Sequence, residues 1–209
     1  HRLVAEPDVV QRLDEERRRN LIVAQSPQQK RQAMLLATGR AINIVFGGPC
    51  GVGKGTASRL LADQWKVKCL DFDEIRSRDM RYRKGQVSPC SVSRLNLTEC
   101  LTPTLKACGE RFVLDFGGDS VFRKSKDNEE RLEQVLWLKR TYAAQVVVLT
   151  AQKDVLRRRF LATKDRAADE FDELWQTWIL IEEPYWQRCA DQFLDTTNLT
   201  PENVVKLII

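Results

Sequence analysis

The sequence has little that could hold a metal or staple a fold. Its one histidine is His1, and its six cysteines, at 50, 69, 90, 100, 108 and 189, contain no C-x-x-C pair. Neither a zinc site nor a disulfide framework is expected, and a reducing cytosol is the simplest setting. No apolar run approaches the roughly 18 residues of a membrane span, so no membrane partner is expected. The opening stretch HRLVAEPDVVQRLDEERRR is charged throughout and has no apolar region of the kind a signal peptide needs. Starting on histidine rather than methionine, the chain reads as a fragment or a processed product. It contains no internal repeat and no low-complexity tract. A net charge of +5 suits an anionic ligand without by itself arguing for nucleic acid.

What is present is enough for one domain and a small extension: 209 residues, 43% of them hydrophobic. Residues 1–40 read as a helical extension. Pro7 and Asp8 can start one helix, PQQKRQAMLLAT a second, and Gly39 can stop it. The EERRR run there is a solvated helix face. From residue 41 to 209 short apolar runs (AINIVF, KVKCLDF, RFVLDFG, QVVVLT, QFLDTT) alternate with helical stretches near 54–65, 91–108, 128–141, 153–163, 169–191 and 201–207. This alternation predicts a parallel sheet covered on both faces. RSRDMRYRKGQVSP is the one stretch that reads as a long polar loop.

The stretch FGGPCGVGKGT, Phe46 to Thr56, packs five glycines around one lysine. An apolar strand precedes it and an amphipathic helix follows, which is the context a phosphate-cradling loop requires. Gly48 through Lys54 satisfy G-x-x-x-x-G-K, with Pro49, Cys50, Gly51, Val52 and Gly53 between, but Gly55 stands where a Ser or Thr is usual and the hydroxyl comes one place later, as Thr56. The GKGT ending resembles adenylate kinases. Asp71 and Asp73 lie two apart at the end of the second run, so in an extended segment both carboxylates project to one side. Shikimate kinases carry D-x-D here, whereas adenylate kinases and zeta-toxin-like kinases carry D-x-x-R, matched by Asp73 and Arg76. The alternative for Asp73 is a helix N-cap. Beyond Arg76 a basic run (Arg78, Arg81, Arg83, Lys84) reads either as a solvated loop or as a clamp on an anionic acceptor.

The third run ends at Asp115, followed by Gly117, Gly118 and Arg123. Asp115 is a candidate to align metal-bound water. Shikimate kinases have a glycine-rich acceptor-contacting turn here. The same DFGG also satisfies the D-x-x-G of GTPases, but Gln152 occupies the lysine position of the guanine-reading motif and Gly55 the place of the metal-binding hydroxyl, so a GTPase is not expected. Arg159 and Arg166, in VLRRRFLATKDR, resemble the lid arginines of shikimate and nucleotide kinases, which close over the ATP phosphates. The segment EEPYWQRCADQFLDTTNLTPENVVKLI resembles the end of shikimate kinases, except that the arginine usual before the proline is Glu183. Leu174, Trp178, Ile181 and Tyr185, at helical spacing, read as core.

Over residues 41–209, then, the chain is similar to P-loop kinases of the adenylate, shikimate and zeta-toxin-like group. The resemblance implies a five-stranded parallel sheet in the order 2-3-1-4-5, ATP as phosphate donor and Mg²⁺ as cofactor. It implies that the amides of Gly51 to Gly55 hold the β-phosphate, that Lys54 bridges β and γ, and that Thr56 and Asp115 fix the metal or its waters. It further implies Asp73 as the base, Arg76 as acceptor anchor, and Arg159 and Arg166 closing over the transfer. The acceptor is a nucleotide or small metabolite; the competing expectations are a hydroxyl on nucleic acid and a nucleotide-binding switch without phosphotransfer.

Overall fold

The computed structural model describes residues 43–78, 97–109, 111–118, 121–122, 127–163 and 168–208. The expected helices of residues 1–40, Arg81, Arg83, Lys84, Arg123 and Arg166 lie outside them. Five apolar runs form strands β1 (Asn43–Gly47), β2 (Lys68–Asp71), β3 (Phe112–Asp115), β4 (Ala144–Thr150) and β5 (Gln192–Asp195). They pair in parallel in the order β2-β3-β1-β4-β5, as expected. Successive side chains of a strand go to opposite faces, and here each face has its own core. Val45, Leu70, Phe112, Leu114, Val146 and Val148 belong to one, and Ile44, Phe46, Val113, Val147 and Leu149 to the other. Helices cover both: α1 (Lys54–Trp65), α2 (Phe72–Arg78), α3 (Leu97–Cys108), α4 (Asn128–Tyr142), α5 (Lys153–Thr163), α6 (Ala168–Thr177), α7 (Glu183–Cys189) and α8 (Pro201–Ile208). None of the described helices is long and apolar enough to cross a membrane.

The register fixes where chemistry can occur. Asp71 pairs with Asp115, Asp115 with Phe46, and Gly47 with Val148, so the carboxyl ends of the strands form one edge. Loops leaving such an edge are where ligands bind in open α/β sheets.

One expectation is corrected. The helix expected over 169–191 is broken by a π-helical turn, Trp178–Glu182, between α6 and α7. Pro184 explains it: without an N–H it cannot donate to the carbonyl four residues back, and its ring crowds that carbonyl. The chain widens instead, and the Glu183 N–H bonds Trp178 O. The extra residue turns the buried face, so that Trp178, Glu182, Trp186 and Cys189 point inward while Ile181 and Tyr185 are half-buried.

Candidate active site

The glycine loop joins β1 to α1 as the sequence requires. Gly48 has φ +132°, and a Cβ there would fall 2.3 Å from Leu149 O, so only glycine can make this turn against β4. Lys54 opens α1 yet is only 6% exposed. Its Nζ folds back over the loop and donates to the carbonyls of Gly48 at 2.7 Å and Pro49 at 2.9 Å. The ammonium therefore sits inside the ring of backbone that it closes, and loop amides and lysine charge face the same enclosed space.

Across the edge stand the carboxylates, and here the two aspartates of the D-x-D part company. Asp71 ends β2, and its Oδ1 accepts the backbone N–H groups of Asp73 at 2.9 Å and Glu74 at 3.2 Å. Asp71, not Asp73, is therefore the cap of α2, and the two do not extend side by side from a strand. Removing such a cap costs about 1 kcal/mol. Asp71→Ala is expected to lower unfolding stability by about that much in urea titrations; an unchanged midpoint would show that the cap contributes nothing.

Asp73 lies in the first turn of α2 and pairs with Arg76 one turn on (Oδ1 to Nη2, 3.1 Å). Its carboxylate lies hard against the segment after β3: a Cβ at Gly117 would fall 1.9 Å from Asp73 Oδ2. Gly118 backs onto Cys50 in the loop, where a Cβ would lie 3.0 Å from the Cys50 Cα. The two glycines thus let the turn after β3 approach Asp73 and the phosphate loop closely. Buried Arg131 on α4 donates Nη1 to Val121 O and holds the segment that follows.

Asp115 is the buried member, 8% exposed at the tip of β3. Its Oδ1 has no hydrogen-bond partner among the described residues, and its Oδ2 would lie 3.1 Å from a Cβ on Gly55. Burial pushes its carboxyl from 3.8 to about 7; Lys54 pulls it down, Asp71 and Asp73 add to the rise, and Arg59 pulls it down again. A carboxyl raised on folding favours the folded state while protonated, below its unfolded value, and that contribution is lost as pH climbs through about 7. Nucleotide-free protein is expected to lose melting temperature between pH 5 and 8, and Asp115→Asn to flatten this slope. Equal slopes in both proteins would mean that Asp115 titrates as an exposed carboxyl. The described residues hold no cluster of three or more metal-ligating side chains, so a cation here would be met by the buried Asp115 oxygen and otherwise by water and phosphate.

On the other side of the loop, a cavity of ≈ 260 Å³ is lined by Gly51, Val52, Gly53, Thr56, Ala57, Leu149, Arg159, Thr196, Leu199, Pro201 and Val204. Its outer wall is the turn between β5 and α8. Thr196 is pinned there through its N–H and Oγ1, both donating to Thr150 O, and Arg159 reaches over from α5 to donate Nη1 to Thr196 Oγ1 and Nη2 to Thr196 O. An apolar pocket beside a phosphate cradle suits a nucleoside.

The profile of the shikimate kinase family matches residues 50–209, most of the chain and all of this site except Gly48 and Pro49 at the start of the loop. The chain belongs to the shikimate kinase family. Like other members of this family, it is an ATP-dependent kinase with a P-loop. No curated protein sequence matches the chain. Among solved structures it is similar to shikimate kinase from Bacteroides thetaiotaomicron (20% identity over 80% of this chain and 96% of that one, TM-score 0.57). It is also similar to shikimate kinase from Acinetobacter baumannii in complex with shikimate (21%, 83% and 93%, TM-score 0.54), and to that from Aquifex aeolicus (21%, 79% and 92%, TM-score 0.51).

Within this family fold the sequence-predicted residues fall into two groups flanking the loop. Asp71, Asp73, Arg76, Asp115, Gly117 and Gly118 gather on the β2–β3 side; Thr56 and Arg159 line the cavity on the β4–β5 side. Arg159, expected to close over the transfer, lines the cavity wall and bonds the Thr196 turn. The lid arginine Arg166, Arg123 and most of the basic run lie outside the described residues. Sequence reasoning missed Thr196, Leu199 and Arg59, whose guanidinium would lie 3.6 Å from a Cβ on Gly55. The signal for Thr196 was available, since it directly follows the last strand on the ligand-bearing edge.

Proposed function

We propose that the protein transfers the γ-phosphate of Mg-ATP to a hydroxyl of a small metabolite. The observation that supports this most directly is the Asp73–Arg76 pair. A carboxylate and a guanidinium are locked together at 3.1 Å beside Gly117, on the strand edge shared with the Lys54 loop. Nothing in nucleotide binding alone calls for that pair. Asp73 accepts the proton of the attacking hydroxyl, and Arg76 holds the acceptor in place by charge-assisted hydrogen bonds. Gly51 to Gly55 present backbone amides to the β-phosphate, and Lys54 swings from its loop carbonyls to the β and γ oxygens. Asp115 would hold Mg²⁺ or its waters from the β2–β3 side, with Thr56 facing the phosphates from the cavity side; when bound, the ion would screen charge on the phosphate oxygens. Arg159 and the Thr196 turn enclose the nucleoside, which keeps water from the transfer.

An acceptor screen with γ-labelled ATP and parallel ADP counting tests this. ADP release is expected to depend on acceptor and to match label transferred. Release that no acceptor alters, with nucleotide bound, identifies a sensor and overturns the proposal.

A further inference from the structure

A helix that covers a sheet needs only an apolar face, yet α4 buries a polar one as well. Its Leu132, Val135 and Leu138 meet the core of the sheet. A second stripe at the same three-residue spacing, Asn128, Arg131 and Gln134, is turned about 100° round the helix from the first. These three are 4%, 3% and 8% exposed. Arginine is almost never that buried unless paired, and apolar side chains of similar volume often fill such space with no loss of stability. What an apolar side chain cannot do is hold a backbone group in place.

Arg131 and Gln134 each do so. Arg131 Nη1 donates to Val121 O, in the stretch that follows Gly117 and Gly118. Gln134 Oε1 accepts the Leu97 N–H at 2.6 Å, one of the first-turn amides of α3 that no carbonyl of its own helix can satisfy. Gln134 Nε2 donates to Glu130 Oε1 at 3.1 Å, which settles which way round the amide lies. The two bonds hold the two supports of the Asp73–Arg76 pair. α3 packs on α2, whose Phe72 shares a core with Leu97 and Leu101, and α2 carries Asp73 and Arg76. The Val121 stretch continues from the Gly117 turn, which meets the Asp73 carboxylate with no room for a Cβ between them.

We propose that Arg131 and Gln134 are positioning residues. From one rigid helix they set the gap between α2 and the Gly117 turn, and so the aim of the Asp73 carboxylate at the acceptor hydroxyl. Arg131 acts through the turn, Gln134 through α3 and α2. The inference rests on the kinase reading above. Misplacing a reacting group by about 1 Å can cost a hundredfold in rate, so releasing either bond is enough to be read in kcat.

The test uses the full chain, a fluorescent ADP analogue for nucleotide binding, and label transfer from γ-labelled ATP to glycerol, ribose, gluconate and shikimate. Arg131→Met and Gln134→Leu keep most of the volume and remove the hydrogen bond. Each is expected to lower kcat on the labelled probe about ten- to a hundredfold, with nucleotide affinity kept within about threefold. Gln134→Glu retains an oxygen for the Leu97 N–H and is expected to recover most of the rate. Variants that melt earlier yet keep kcat while folded overturn the proposal, because the stripe then only packs. So does an equal loss of kcat and nucleotide affinity, the mark of general loosening, and so does a Gln134→Glu protein no faster than Gln134→Leu. Gln134→Leu, which removes no charge, decides the matter if Arg131→Met does not fold. Nucleotide binding by the natural protein with no label on any probe overturns the kinase reading, and the positioning role with it.

Discussion

Lys54→Ala is expected to lower kcat by roughly a hundredfold or more, the cost of removing one preorganised donor from developing phosphoryl charge. The structure adds a second effect. Lys54 Nζ closes the loop on the carbonyls of Gly48 and Pro49, so alanine leaves two carbonyls without their partner and empties the centre of the cradle. Net losses of this kind run to about 0.5–1.5 kcal/mol per hydrogen bond, more when the donor is charged. A lower melting temperature and weaker ATP binding should therefore accompany the loss of rate. Lys54→Arg keeps the charge but not the compact ammonium that fits between the two carbonyls, so it should recover little of the rate. A folded Lys54→Ala protein with unchanged kcat would sink the assignment of the phosphate loop.

Asp73→Asn should leave ATP affinity within about threefold while lowering kcat by roughly 10² to 10⁴, the usual worth of a general base. The substitution keeps shape and removes charge, so the close fit against Gly117 survives. It also loosens the ion pair with Arg76, but that pair is partly exposed on the Asp73 side, so little stability goes with it. Asp71→Ala provides the contrast: it removes the helix cap and should move stability far more than it moves the ratio of kcat to ATP affinity. Arg76→Ala should act on the acceptor's apparent affinity. Measuring ATP affinity, kcat and melting temperature on one Asp73→Asn sample separates the outcomes. A purely structural role for the Asp73–Arg76 pair predicts lost stability with chemistry intact, and a nucleotide sensor predicts neither change.

The parts of this protein governed by near neighbours in the chain were open to reading from residues alone. Glycine density around Lys54 dictated the loop, and helical periodicity placed α1 at Lys54–Trp65 and α5 at Lys153–Thr163 as found. The order of the strands came through resemblance to P-loop kinases, since apolar runs say that strands pair but not with which partners. Tertiary structure decided the rest. Asp71 and Asp73 are chemically alike and two residues apart; which one caps α2 and which meets Gly117 depends on β3, more than forty residues further along. Resemblance to lid arginines places Arg159 over the transfer; its bonds to Thr196, 37 residues away, depend on the pairing of β4 with β5. Glu182 is buried because Pro184 forces a π turn between α6 and α7. Spacing determines which side chains share a face of their own helix or strand; what that face meets is set by the packing of segments distant in sequence, and the β2–β3 side of this site is built almost wholly of such meetings.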